Sequence, residues 1–402
     1  MLSQQSTPVV RETLPAVRAA IGEIAEVFYA RMFDAHPELL RDLFNRGNQA
    51  GGEQQKALAG SITAFAELLL AHPDVRPDTM LARIANKHAS LGITSEQYKI
   101  VHEYLFAGIG EVLGDAVTTD VAAAWDEVYW LMADALMAIE TRLYAQAGAA
   151  GGGTWQRMTI AERQEDSPDV VSFTLRRADG RPCVSFRPGQ YISVRVELPD
   201  GARQIRQYSL SGTPGRPEWR ISVKRVAGAA QPDGEVSSWL HDNARVGDTL
   251  TVSTPFGDLT LRPGDGPLLL ASAGIGTTPV LSMLNHLAAG RSPRSVTVVH
   301  ADRTPDDHAH REELKRLVRA LPDARLHLWY EEPDGQEPEA ATGLADLDAV
   351  DLPESVTAYL CGPLPFMRSI RGDLLRRGIP AEDIHYEVFG PDLWLAASSE
   401  TD

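Results

Sequence analysis

The sequence predicts three domains in series: an all-α domain, an antiparallel β-barrel, and an α/β domain built on a parallel sheet. Three observations lead there. At 402 residues the chain exceeds what one ordinary core holds. Apolar residues recur at three- and four-residue spacing up to residue 147 and at alternate positions after Trp155. From Arg262-Pro263-Gly264 onward, short apolar runs alternate with a helical pattern. The expected boundaries are 1–147 for the helical domain, 148–153 for a Gly/Ala linker, 154–262 for the barrel and 263–402 for the α/β domain.

In the helical domain, Val17, Ile21, Ile24, Phe28 and Met32 form one apolar helical stripe. Tyr98, Val101, Leu105 and Val112 mark another helix, and Val128, Leu131, Ala135, Ile139 and Leu143 a third. His36-Pro37, His72-Pro73 and Arg76-Pro77 stand where helices end or begin, because proline removes a backbone donor and restricts the residue before it. Tyr29 is expected inside a second helix. The period stops at Gly148-Ala149-Ala150-Gly151-Gly152-Gly153, which has the composition of a flexible linker.

Alternation follows. Val171, Phe173 and Leu175 share one face of a strand, and Trp219, Ile221 and Val223 repeat the pattern. The turns Arg187-Pro188-Gly189 and Pro199-Asp200-Gly201 separate such runs, as in a barrel. Leu268–Ala271, Ser295–His300 and Arg325–Tyr330 are further apolar runs. Leu314, Leu317, Val318 and Leu321 mark an intervening helix, so these strands should form a parallel sheet covered on both faces.

Composition narrows the function classes. The hydrophobic share of 43% and charged share of 23% are those of a globular protein. The net charge of −17 is spread along the chain with no basic stripe, which argues against nucleic-acid binding. Cys183 and Cys361 lie too far apart for a local staple and point to a reducing compartment. No basic segment leads into an apolar one, and no apolar run approaches about 18 residues, so a cytoplasmic protein is expected.

The chemistry starts with Arg206-Gln207-Tyr208-Ser209. On an antiparallel strand, Arg206 and Tyr208 share a face while Gln207 and Ser209 take the other. An arginine there can pair with a phosphate, a tyrosine can cover a flavin ring and a serine can reach a ring nitrogen. A barrel strand with a surface arginine is the plain alternative. Gly234-Glu235-Val236-Ser237 reads as a turn opening a short helix whose free amides suit a pyrophosphate. Tyr191 adds a second aromatic near the expected ring. Gly274-Ile275-Gly276 follows a predicted strand and precedes a predicted helix, the context of a phosphate-binding turn, but Pro279 arrives where the dinucleotide fingerprint has a third glycine.

Taken in order, these runs resemble the ferredoxin-reductase-like flavoproteins, with R-x-Y-S and G-x-x-S on the FAD side and G-x-G-x-T-P with a later C-G-P on the nicotinamide side. The resemblance implies FAD near Tyr191, Arg206, Gln207, Tyr208, Ser209, Gly234 and Ser237. It implies NADH or NADPH near Gly274, Ile275, Gly276, Thr277, Thr278, Pro279, Cys361 and Gly362, with a merely buried thiol as the other reading of Cys361. It further implies that Phe389, Gly390 and Pro391 cover the flavin ring, where a terminal core strand is the alternative.

In the helical domain, His88 ends a predicted helix before Gly92. A lone histidine on a helix is commonly no more than a satisfied polar residue. However, the run Phe28–Phe33, Leu43-Phe44-Asn45, Gln54, Lys87-His88 and Glu96-Gln97-Tyr98 fall in the order and spacing of a bacterial globin. Apart from a tail after about Leu395, the whole chain is similar to the flavohaemoglobins. That resemblance implies a globin fold around haem b, with His88 as the iron ligand. It implies that Tyr98 and Glu140 hydrogen-bond to His88 and make it a stronger donor; an exposed charge beside Arg142 is the plain reading of Glu140. It implies that Tyr29 donates a hydrogen bond to O2 in the haem pocket, with Gln54 nearby and Phe44 and Leu58 bounding the space. Lys87 and Glu387 match positions near the junction of haem and flavin domains, though surface salt bridges would also account for them.

The activity implied is a nitric oxide dioxygenase that detoxifies nitric oxide. NAD(P)H reduces FAD, FAD passes single electrons to haem iron, and O2 and nitric oxide become nitrate. The alternatives are a reductase of ferric iron, quinones or hydroperoxides with an accessory globin, and a sensor of O2 or nitric oxide. An integral hydride path speaks against a pure sensor. Asp302 and Arg303 follow the second strand of the last domain, where the ribose end is read, and pull in opposite directions between NADH and NADPH. A monomer is expected, and a lipid in the distal pocket stays open.

Overall fold

The computed structural model of the protein describes residues 1–74, 78–227, 233–335 and 337–390, with 79 and 150 described by backbone alone. The Arg76-Pro77 breakpoint lies outside them. The helical region contains α1 (Ser6–Ala35), α2 (Pro37–Asp42), α3 (Arg46–Ala50), α4 (Glu53–Ala71), α5 (Asp78–Leu91), α6 (Ser95–Leu113) and α7 (Thr119–Ala147).

Tyr29 lies in α1 itself, not in a second helix, because α1 runs unbroken through the exposed Pro15. Proline removes one hydrogen bond, but buried Val10 and Val17 on either side hold both turns on the same core. Burial of an amphipathic face, more than local propensity, decides whether such a helix continues. The expected stripe of Val17, Ile21, Ile24, Phe28 and Met32 is buried throughout.

The segment after α7 is not the loose tether its composition suggests. Gly148 closes α7 in the left-handed region, and Ala149 and Thr154 are buried. Gly92 and Gly152, with φ of 77° and 81°, bring two backbones together. A Cβ on Gly92 would sit 3.0 Å from the Gly152 carbonyl oxygen. Here glycine serves close approach.

The next region carries β1 (Trp155–Ser167), β2 (Val170–Arg177), β3 (Tyr191–Glu197), β4 (Arg203–Ser209), β5 (Trp219–Lys224), α8 (Glu235–Asn243) and β6 (Thr249–Ser253). The strands form a six-stranded sheet in the order β4-β3-β6-β1-β2-β5. The β1–β2, β2–β5 and β3–β6 pairings are antiparallel. A bridge between Leu210 and Ile221 links the ends of the order and curls the sheet toward a barrel. On β2, Val171, Phe173 and Leu175 are buried as expected, but so is Ser172, whose hydroxyl meets that of Ser222 on β5 at 2.8 Å.

The last region holds β7 (Leu268–Ala273), α9 (Thr277–Ala289), β8 (Val296–Asp302), α10 (Arg311–Arg319), β9 (Ala324–Tyr330), β10 (Ala341–Thr342), β11 (Thr357–Cys361), α11 (Leu364–Arg376) and β12 (Ile384–Glu387). The sheet order is β10-β9-β8-β7-β11-β12 and the pairs are parallel. Every residue of β7 is buried, as in a strand covered on both faces. Leu314, Leu317 and Val318 of α10 pack into the core beside it.

The chain gathers into two compact units. Among the described residues, one comprises Met1–Trp155, Glu197–Arg206 and Gly390; the other comprises Gln156–Val196 and Gln207–Phe389. Among the described residues, no helix is long and apolar enough to cross a membrane.

Candidate functional site

Three helices converge on His88. It lies in the last turn of α5, Tyr98 in the first turn of α6, and Glu140 late in α7. A capping box between Thr94 and Gln97 fixes the start of α6. His88 Nδ1 lies 2.9 Å from Glu140 Oε1 and 2.9 Å from Tyr98 Oη, and the Tyr98 hydroxyl donates to Glu140 Oε1 at 2.5 Å. Burial, reinforced by the Glu140 charge, pushes the Tyr98 hydroxyl well above its ordinary range, so it keeps its proton and donates. Glu140 is 3% exposed, which removes the reading of a solvated helix charge.

A carboxylate has no hydrogen to give, so Nδ1 of His88 carries the proton and Nε2 presents its lone pair. Among the described residues, no group of three or more His, Cys, Asp or Glu is placed to hold a bare ion. A metal at His88 must therefore bring its other ligands with it, as a porphyrin does. The donor set fits haem.

Two residues that sequence reasoning did not single out brace this cluster. Tyr129 of α7 donates to the Tyr98 backbone carbonyl at 2.6 Å, and Tyr144 donates to the Ile93 carbonyl at 2.8 Å. The spacing of Glu140 and Tyr144, four residues apart on one helix, was the available signal.

A second cluster surrounds Tyr29. Its ring lies 4.5 Å from Phe28, 5.5 Å from Phe33 and 5.9 Å from Phe44. Burial raises its hydroxyl above the ordinary range, while the neighbouring amides of Gln54 and Gln49 pull it part of the way back. The group is a neutral donor. Phe44 follows α2, and Gln54 and Leu58 stand one turn apart on α4; Phe44 and Leu58 both pack on the same helical core. Gln49 was not foreseen, since it sits in a five-residue helix with no apolar period.

The flavin-type motif lies on β4. Arg206 donates to the Ile205 carbonyl at 2.7 Å and to Gln204 Oε1 at 3.3 Å. Gln207 donates to Ser193 Oγ on β3 at 3.0 Å. Tyr191 and Ser209 are buried, and Tyr208 is half-buried. Gly234 precedes α8 as an N-cap without a side chain, the kind of helix start that suits an anion. Ser237 stiffens that turn by donating to the Gly234 carbonyl at 3.0 Å and accepting from the Val226 amide at 3.1 Å.

The nicotinamide-type motifs, distant in sequence, meet in space. Gly274-Ile275-Gly276 forms a tight turn between β7 and α9, and Cys361 ends the adjacent strand β11. A Cβ on Gly276 would lie 2.2 Å from the Cys361 carbonyl oxygen, so only glycine allows this approach. Thr277, Thr278 and Pro279 are buried in the first turn of α9, where the Thr278 hydroxyl donates to the Ile275 carbonyl at 3.0 Å. Burial, with a smaller push from Glu387, raises the Cys361 thiol well above its usual range, which keeps it an uncharged thiol. Gly362 has φ of 158° and follows it.

Glu387 pairs with Cys361 in the β11–β12 register. Beyond it, Phe389 is 49% exposed, so it is no core residue of a terminal strand. Lys87 donates to the Gly390 carbonyl at 3.3 Å. Pro391 lies outside the described residues. Asp302 is turned inward, 3.6 Å from His300 Nε2, while Arg303 extends outward beside Asp307.

Residues 26–136 match the Globin family, 157–261 the Oxidoreductase FAD-binding domain and 270–372 the Oxidoreductase NAD-binding domain. The chain is 43% identical over 406 residues to a flavohaemoprotein of Rhizobium meliloti, covering 98% of this chain and 100% of that one. It is 38% identical over 409 residues to a flavohaemoprotein of Halalkalibacterium halodurans, with 99% of each chain covered. Among solved structures, a flavohaemoglobin from Malassezia yamatoensis with bound FAD and haem matches with a TM-score of 0.89 at 38% identity, over 97% of this chain and 100% of that one. The flavohaem-like FAD/NAD-binding domain of a nitric oxide dioxygenase from Vibrio cholerae matches 59% of this chain and 100% of its own length, at 35% identity and a TM-score of 0.56.

Proposed function

The chain belongs to the flavohaemoproteins, and on that premise we propose that it is a nitric oxide dioxygenase driven by NADH or NADPH. Its cofactors supply complementary chemistry: nicotinamide gives hydride as an electron pair, FAD releases the electrons singly, and haem iron takes one at a time at a site open to diatomic gases. Each hydride then serves a pair of turnovers, in which nitric oxide, O2 and one electron become nitrate.

The observation that carries this reading is the triad in which the buried Tyr98 and Glu140 hold His88. A carboxylate on the Nδ1 proton raises the basicity of Nε2, which favours activation of a bound gas over its storage. In this mechanism His88 is the metal ligand, and Tyr98 and Glu140 hold its proton at Nδ1. Tyr29 donates from an aromatic enclosure with Gln54 steering its hydroxyl, and Phe44 and Leu58 keep water out.

In the reductase half, Arg206 pairs with a phosphate and Tyr191, Gln207, Tyr208 and Ser209 orient the flavin. Gly234 and Ser237 shape the α8 N-terminus for the second phosphate. The turn from Gly274 through Pro279 admits the dinucleotide, with Cys361 and Gly362 near its reactive end. Phe389 and Gly390 cover the flavin until the nicotinamide enters, and Lys87 and Glu387 match positions that the family resemblance assigns to the junction of its haem and flavin modules. Two buried free cysteines and use of NAD(P)H suit the cytoplasm.

The test is consumption of nitric oxide by the purified holoprotein with NADH or NADPH. Consumption that requires O2 and yields nitrate is expected. Gas binding without turnover would make the protein a sensor, and reduction of ferric iron, quinones or hydroperoxides without nitric oxide consumption would make it a reductase.

A further inference from the structure

The Glu197–Arg206 segment packs with the helical unit, and Gln204 is its centre. This neutral side chain is completely buried. Its Nε2 donates to the carbonyls of Leu40 at 3.3 Å, Arg41 at 3.0 Å and Phe44 at 3.2 Å. Its Oε1 accepts from the Arg46 amide at 3.3 Å and from the Arg206 guanidinium at 3.3 Å.

One amide thus caps the end of α2, whose last carbonyls have no intrahelical partner. Exposed ion pairs flank it, Arg203 with Asp42 at 3.1 Å and Arg46 with Asp200 at 2.6 Å. Such rim pairs hold the segment loosely. The buried amide fixes it to the backbone of Phe44, because any slip leaves buried polar groups unpaired.

Gln204 therefore has one end on each half of the chemistry. Phe44 packs its ring against Tyr29 and lies 5.2 Å from Phe33. Arg206 opens the run assigned to the flavin phosphate. We propose that Gln204 is a positioning residue that couples occupancy of the Arg206 phosphate site to the packing of Phe44 against Tyr29. The inference rests on the roles given above to Arg206 and Tyr29. A phosphate takes charge-assisted hydrogen bonds from the guanidinium and so resets the donor at Gln204 Oε1. The amide is planar, so a change at Oε1 is felt at the carbonyls held by Nε2.

The test uses full-length protein loaded with haem, with and without FAD, and carbon monoxide as the probe. FAD should change the carbon monoxide dissociation rate by about two- to thirtyfold and shift the C–O stretching band. By reciprocity, saturating carbon monoxide should change FAD affinity by the factor by which FAD changes the equilibrium affinity for carbon monoxide. Gln204→Leu should keep its FAD, judged by flavin absorbance, and lose the response. Gln204→Glu keeps an acceptor for Arg206 but has no hydrogens for the three carbonyls, so it should lose the response as well and stands in if the leucine variant does not fold. Arg46→Ala keeps the backbone amide that donates to Gln204 Oε1 while losing the ion pair with Asp200, and should retain the response.

A native protein that binds FAD with no change in carbon monoxide kinetics overturns the coupling. So does a full response in both Gln204 variants, or its loss in Arg46→Ala. A native protein that takes up no FAD overturns the flavin reading itself.

Discussion

The clusters around His88 and Tyr29 use the same residue type for opposite ends. Each holds a buried tyrosine whose hydroxyl keeps its proton. At Tyr98 that proton is committed to a carboxylate at 2.5 Å, inside a network containing a buried charge. At Tyr29 the hydroxyl sits among neutral amides and aromatic rings. A buried charge must have every partner in place, so the first cluster is specified atom by atom. A neutral hydroxyl in an apolar enclosure can be lent to a small ligand and taken back. We read the first as fixed machinery on the metal and the second as an adaptable grip on the gas.

The comparison can be broken at several points. The largest effect is expected from His88→Ala, which should leave the purified protein without a haem absorption band; a retained band would detach the metal from this cluster. Glu140→Gln preserves shape while removing charge. It should raise the haem midpoint potential and lower turnover by about tenfold or more, in the range seen when a ligand's hydrogen-bond partner is lost. An unchanged potential would leave the carboxylate without its proposed effect on the imidazole.

The sharpest comparison removes the same atom from each cluster. Tyr98→Phe strips a donor from a buried carboxylate and should cost about 1–3 kcal/mol in denaturant unfolding. Tyr29→Phe should cost less than about 1 kcal/mol there, yet speed O2 loss by about tenfold, the effect of one hydrogen bond. Equal unfolding costs for the two variants would erase the distinction between charged and neutral clusters.

Much of this was legible before the structure. The His88, Tyr98 and Glu140 positions follow a family pattern, and their convergence required only that three helices pack as globin helices do. Strands β2 and β5 were visible from their alternation, β7, β8 and β9 as apolar runs, and the glycine turn before α9 from its place between strand and helix. Other features were not visible. Tyr29 was expected in a second helix because the packing of Val10 and Val17 on one core, on either side of Pro15, is not a local property. The glycines after α7 read as slack, since composition does not distinguish freedom from close approach. Gln49 and Tyr129 act through contacts that no spacing rule within one element reveals.

Helix and strand periods, turn chemistry and the order of the motifs are written in neighbouring residues, and the sequence alone determined them. It therefore settled the architecture and the kinds of group present. Only the tertiary structure decided which distant atoms share a hydrogen bond. A glutamine in a barrel strand holds three carbonyls 160 or more positions earlier, and a glycine turn admits the carbonyl of a strand met much later. Such pairings depend on satisfying buried polar groups in a close-packed interior, a condition that exists only once the chain has folded.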